Sequence, residues 1–91
     1  EGEPAAGAEL RRQALAWLRA ELEGLAGLLD ADAPGHRLLV EISLRRWQAD
    51  PDLALVRGLA ALSRLPDVER AQWLAFWAEV DRLRSDALPS P

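Results

Sequence analysis

The residues with the most chemical promise lie between Asp30 and Glu41. The run Asp30-x-Asp32-x-Pro34-Gly35, with Glu41 at its twelfth position, follows much of the EF-hand calcium pattern: acids at one and three, Gly at six, Glu at twelve. Two ligand positions fail. Pro34 at position five offers no side-chain oxygen, and Leu38 at position nine cannot ligate. Arg37 takes position eight, which is normally apolar. The same residues also make a capped helix–turn–helix in which Asp32 and Pro34 start the second helix. The missing ligands favour that junction over a calcium loop.

His36 is the chain's one histidine, and the chain has no Cys. A zinc site would have to gather carboxylates from elsewhere. The first turn of a helix is an ordinary place for a solvated His. Ser43, Ser63, Ser85 and Ser90 all lie outside a G-x-S-x-G context. Without Lys the segment holds neither a complete Walker A motif nor the ATP-binding lysine of a protein kinase. Arg11-Arg12 and Arg45-Arg46 are basic pairs diluted by neighbouring acids, which reads as solvated helix surface and not as a phosphate clamp. These residues assign no catalytic, cofactor-binding or metal-binding group, and the segment is expected not to be an enzyme.

The elements that carry these residues are helical. Trp73, Phe76, Val80, Leu83 and Ala87 recur at steps of three and four, the spacing of one helix face, and Trp77 and Leu74 widen it. That last helix begins at Pro66, with Asp67 and Glu69 as acids in its first turn. The first helix runs from about Glu9 to Leu29. Leu15, Leu18, Leu22, Leu25 and Leu29 form its apolar stripe, broadened by Leu10, Ala14, Trp17 and Leu28, with Arg12, Arg19 and Glu23 opposite. Its glycines, Gly24 and Gly27, each cost about 1 kcal/mol of helix propensity. They would permit close approach of a neighbouring helix.

A second helix spans about Pro34 to Gln48. It has one apolar line at Leu38, Leu39 and Ile42 and another at Val40, Leu44 and Trp47, so cover on both flanks is expected. Glu41 and Arg45 stand four apart in the favourable order, worth a few tenths of a kcal/mol. Asp50-Pro51-Asp52 is a helix start: cap, Pro, acid. A short helix follows to Val56 or Arg57, Gly58 interrupts, and Leu59–Leu65 makes another short piece. The expected fold is an all-α compact bundle of two long helices, first and last, with two to three shorter ones between. Residues 1–8 are expected as a linker or frayed end, 9–88 as one helical domain and 89–91 as a tail. The expected core holds Leu18, Leu22, Leu25, Trp47, Trp73, Phe76, Trp77 and Val80. Trp17, at the edge of its stripe, is the possible partner contact.

The totals agree with this and exclude several classes. Ninety-one residues suggest one domain. Leu and Ala dominate over β-branched residues, which favours helix. The net charge of −4 argues against a nucleic-acid binder. No apolar run is long enough for a membrane span. The lack of Met, even at position 1, predicts a piece of a longer chain or an N-terminally processed protein.

Three stretches are similar to a known family. They are Leu10-Arg-Arg-Gln-Ala-Leu-Ala-Trp-Leu-Arg-Ala-Glu-Leu, then Trp47-Gln-Ala-Asp-Pro-Asp-Leu-Ala-Leu-Val-Arg57, then Leu62-Ser-Arg-Leu-Pro-Asp-Val-Glu-Arg-Ala-Gln-Trp73 running on to Trp77-Ala-Glu-Val-Asp-Arg-Leu83. Together they resemble the C-terminal helical tail of large bacterial proteins with serine/threonine kinase domains, tetratricopeptide repeats or WD40 repeats. The resemblance covers Leu10 to Leu88. It implies a non-catalytic, cytoplasmic module that directly follows the last helical repeat. The implied partners are the preceding helical repeats of the same chain or another protein. The family's kinase motifs lie outside this segment, so no catalytic residue carries over. The chain departs from the pattern at Val56-Arg57-Gly58, where an acid is expected after the Arg. It departs again at Leu38 to Leu44, which is unusually apolar and implies tighter packing or an added contact surface.

The main expectation is therefore a capping or interaction module for a helical array, whose last repeat exposes an apolar face. The alternatives are a stand-alone adaptor that self-associates through its Leu and Trp stripes, and a calcium-responsive helix pair. Oligomeric state is left open.

Overall fold

The computed structural model describes residues 5–31 and 35–87. The described chain is all-α, without a strand among the described residues. Helix α1 covers Ala5–Ala31 and α2 covers His36–Ala49. A 3-10 turn at Pro51–Val56 and the short α3, Leu59–Leu62, lead to α4, Asp67–Ala87. The expected plan of long first and last helices with shorter pieces between is the observed one. Helices α1, α2 and α4 pack pairwise, and the 3-10 turn and α3 close one end.

The core follows the helical periods. Leu15, Leu18 and Leu22 of α1 meet Val40 and Leu44 of α2 and Trp73, Phe76, Trp77 and Val80 of α4. Leu25 and Trp47 are half-buried and packed against this cluster. Phe76 organises the aromatic centre. It stands edge-on to Trp73 (centroids 5.9 Å, 87°) and to Trp77 (4.9 Å, 70°), and it stacks with Trp47 at 6.0 Å.

Local signals set the junctions. The Asp50 carboxylate accepts from Asp52 N at 2.9 Å and caps the 3-10 turn, with Pro51 behind it. Gly58 has φ +85 and ψ +147, a backbone region that side-chain-bearing residues avoid, so the chain can turn from the 3-10 segment into α3. Trp77 Nε1 donates to Val56 O at 2.7 Å and ties that turn to α4. Arg57 Nη1 donates to the Trp47 and Asp50 carbonyls at 3.0 and 2.8 Å, closing the end of α2.

Several expectations are corrected. Residues 5–8, expected as linker, are the first turn of α1, because Ala5, Ala6 and Ala8 are strong helix formers. Ala87, the last residue of the apolar face predicted for the final helix, closes α4 and is buried at 2 % exposure. The expected starts of α2 at Asp32 and Pro34 lie outside the described residues, as do residues 1–4 and 88–91. Gly35, at φ +86, precedes α2 and provides no side-chain cap. The two-sided cover expected for α2 is absent: Val40 and Leu44 are buried, whereas Leu38, Leu39 and Ile42 are exposed. Its neighbours, α1, α4 and the 3-10 turn, leave the other side of α2 open among the described residues. Leu10, Trp17 and Leu74, expected to widen core stripes, are exposed as well, because each sits at the margin of its face.

Candidate functional site

Glu41, Arg45, His36 and Arg11, all polar residues with a chemical reading, are engaged in the fold. Glu41, the twelfth residue of the calcium pattern, is only 6 % exposed. It is not the surface member of an i,i+4 pair that its spacing suggested. Arg45 forms an ion pair with it from one turn on, and Arg84 Nε of α4 donates to its Oε2 at 3.1 Å. Arg84 Nη1 also donates to Gln48 Oε1 at 2.6 Å, and Gln48 Nε2 donates to Asp81 Oδ1 at 2.7 Å. The Arg45 hydrogen bond holds the Glu41 carboxyl below the usual carboxylate range. Burial opposes it, and the Arg84 bond adds to it. Glu41 in turn raises the Arg45 pKa. Both Glu41 oxygens thus accept from guanidinium groups, which leaves poor access for a cation.

His36 is half-buried, not solvated as its position suggested. Its Nδ1 lies 2.9 Å from Leu28 O, and since a carbonyl only accepts, the ring is the Nδ1–H tautomer or the imidazolium. It joins the start of α2 to the end of α1. Arg11, expected in a solvated pair with Arg12, instead reaches across to Glu69 of α4. Its Nη2 donates to Oε2 at 3.1 Å, with both side chains mostly covered. Arg12 pairs locally with Glu9, whose pKa is lowered by the Arg12 hydrogen bond and then by Gln13. Among the described residues no cluster of three or more His, Asp or Glu side chains could hold a metal ion. No helix among them is long and apolar enough to cross a membrane.

Exposed apolar surface remains at several places, among them Leu55, Leu59 and Val68, and two helix faces carry it as continuous tracks. The outward face of α1 carries Trp17 at 62 % exposure beside Ala16, Ala20, Gly24 and Gly27, all exposed. A Cβ placed at either glycine would meet nothing within 4 Å. The close helix approach that these glycines suggested is therefore not made to any described part of this chain. Glu21 and Glu23 flank this track, one on each side of the helix. The outward face of α2 carries Leu38 at 62 %, Leu39 at 49 % and Ile42 at 43 % exposure. Arg45, Arg46 and Ala49 continue it by one to two turns. The only acid of α2 is Glu41, and it points the other way.

A third surface feature is an apolar groove of about 540 Å³ at the start of α1, walled by Leu10, Ala14, Leu53, Leu55, Leu65 and Trp73. It separates the first turns of α1 from the 3-10 turn.

The structure places the expected core residues Leu18, Leu22, Trp73, Phe76, Trp77 and Val80 together in one cluster, with Leu25 and Trp47 at its edge. Trp17 alone of the tryptophans stands out from it. For Leu38 to Leu44 the sequence leaves tighter packing and an added contact surface both open, and in the structure Leu38, Leu39 and Ile42 stay exposed. The signal for a contact surface was present: Leu38, Leu39, Ile42, Arg45 and Arg46 share one side of the helix, and that side has no acid to solvate it. No protein-family model, curated protein or solved structure matches the chain.

Proposed function

We propose that this chain is a non-catalytic helical interaction module that caps an array of helical repeats. By its resemblance, it would stand at the C-terminus of a larger bacterial signalling or scaffold protein with kinase, tetratricopeptide or WD40 domains, in the cytoplasm. The observation that carries this reading is the outward face of α1. Trp17 is exposed there, and two helix-weakening glycines open onto space that no described residue fills. A face of this make-up accepts another helix at close range. The helix it takes belongs to the preceding repeats of the same chain or to another protein.

The engagement of Glu41 and the scatter of the serines support a structural role over a catalytic one. The Leu and Trp stripes proposed for self-association are mostly committed to the chain's own core, which leaves Trp17 as their exposed remnant. The test is to delete residues 10–88 from the parent protein and follow the melting and solubility of its repeat array. A lower melting temperature or loss of solubility is expected. Unchanged melting of the shortened parent counts against the capping role.

A further inference from the structure

The two outward faces are complementary to each other. On α1, small residues form a shallow track, Ala20, Gly24 and Gly27, bordered on its two sides by Glu21 and Glu23. On α2, the large residues Leu38 and Ile42 form a ridge, bordered near its end by Arg45 and Arg46. No described residue forms an ion pair with Glu21, Glu23 or Arg46. Arg45 keeps its side chain 61 % exposed despite its bond to Glu41.

We infer that the α2 ridge of one copy docks on the α1 track of a second copy, so that the chain associates with itself through unlike faces. The inference rests on the reading of α1 as a helix-docking face: where no preceding repeat covers that face, a second copy takes it. With the two helices antiparallel, equal rise per residue fixes a register. Setting Arg45 and Arg46 against Glu21 and Glu23 brings Ile42 over the gap between Gly24 and Gly27. The same register brings Ala49, a small residue, beside Trp17, a large one. Bulk thus meets space at both ends, and two basic groups meet two acidic ones. The charges fix orientation and register, and the apolar ridge loses its exposure to water.

An α1–α1 pair would set Glu21 and Glu23 near their own copies. An α2–α2 pair would do the same with Arg45 and Arg46. Both self-pairings place like charges together, so the unlike pairing is the one the charges select. A contact between unlike faces propagates into a chain of copies or closes into a ring.

The experiment is light scattering on the full 91-residue chain from about 10 µM to about 1 mM, since one helix face is smaller than a standard interface and binds in the weak range. Two variants block one face each. Gly24→Leu fills the α1 track and raises helix propensity, so a loss of association cannot be laid to unfolding. Leu38→Glu with Arg46→Gln removes the α2 ridge at two exposed positions. The wild type is expected to rise in mass with concentration, and less steeply in high salt. Each variant alone is expected to stay at the mass of one chain, and an equimolar mixture of the two to reach the mass of two chains. A wild type that stays at one chain throughout overturns the inference but leaves the capping role to the parent-protein melting test. Association by either blocked variant alone, or a mixture that stays at one chain, also overturns it.

Discussion

Arg84 in α4 donates its Nε to Glu41 Oε2 in α2 at 3.1 Å, so the one acid of α2 is held both by its own helix and by the helix it faces. Because Arg84 also reaches Gln48, a single guanidinium aligns two turns of α2 against α4. The Glu41 pKa is depressed in the folded chain, chiefly by the Arg45 hydrogen bond. A depressed carboxylate adds stability above its unfolded pKa of about 4.3 and loses it as pH falls through the lower folded value. Glu41→Gln is therefore expected to melt below wild type at pH 7, with the gap narrower at pH 3. Arg84→Ala should cost more than Arg45→Ala, since it also releases Gln48. Circular dichroism melts at the two pH values check this. A gap that persists unchanged in acid would mean that the charge of Glu41 is not what stabilises.

Trp73 and Trp77 are one helical turn apart and both buried, yet their indole nitrogens differ. Trp77 Nε1 donates to Val56 O at 2.7 Å, whereas Trp73 Nε1 has no acceptor among the described residues. Replacing either by Phe removes similar volume from the core. Only Trp77→Phe also strands a carbonyl, which costs about 1–3 kcal/mol. Trp77→Phe should thus be less stable than Trp73→Phe by about that difference in urea unfolding. Equal losses would show that cavity formation alone sets both.

Much of this architecture was legible in the sequence, and the lapses share a cause. The steps of Trp73, Phe76, Trp77 and Val80 define a core face by period alone, and Asp50-Pro51 fixes a boundary by local chemistry. Period cannot tell how many neighbours a helix has. Leu38, Leu39 and Ile42 look like a second core line unless it is known that α1, α4 and the 3-10 turn leave one side of α2 uncovered among the described residues. Glu41 fails in the opposite sense. Its i,i+4 spacing to Arg45 marks a surface pair, and only the distant Arg84 reveals that it faces inward. The candidate interaction surface was half visible: Trp17 stood at a stripe edge, but the open space over Gly24 and Gly27 is a property of the assembled bundle.

That open space gives a stability prediction of its own. Gly24→Ala and Gly27→Ala place a methyl where nothing lies within 4 Å. Each should stabilise the chain by about 0.5–1 kcal/mol through helix propensity, or about 2–8 °C in Tm for a domain of this size. Gly58→Ala should do the reverse by about 1–3 kcal/mol, because φ +85 with ψ +147 is strained for any side chain. Scanning calorimetry of the three variants separates the cases. A destabilised Gly24→Ala would place a described side chain over that face after all.

Trp17 and Phe76 provide the sharpest contrast between surface and core. Phe76 is fully buried among three tryptophans, and Phe76→Ala should cost about 3–5 kcal/mol, a large part of the stability of a small domain. Trp17→Ala removes a side chain that is mostly in water, so the single chain should change by no more than about 0.5 kcal/mol. In the antiparallel register Trp17 lies beside Ala49 of the second copy. The same substitution should therefore lower the mass reached at high concentration while leaving the melt of the dilute chain in place. Urea unfolding at low concentration and light scattering at high concentration read the two effects separately. If Trp17→Ala lost as much stability as Phe76→Ala, Trp17 would belong to the core and the α1 face would not be a docking surface.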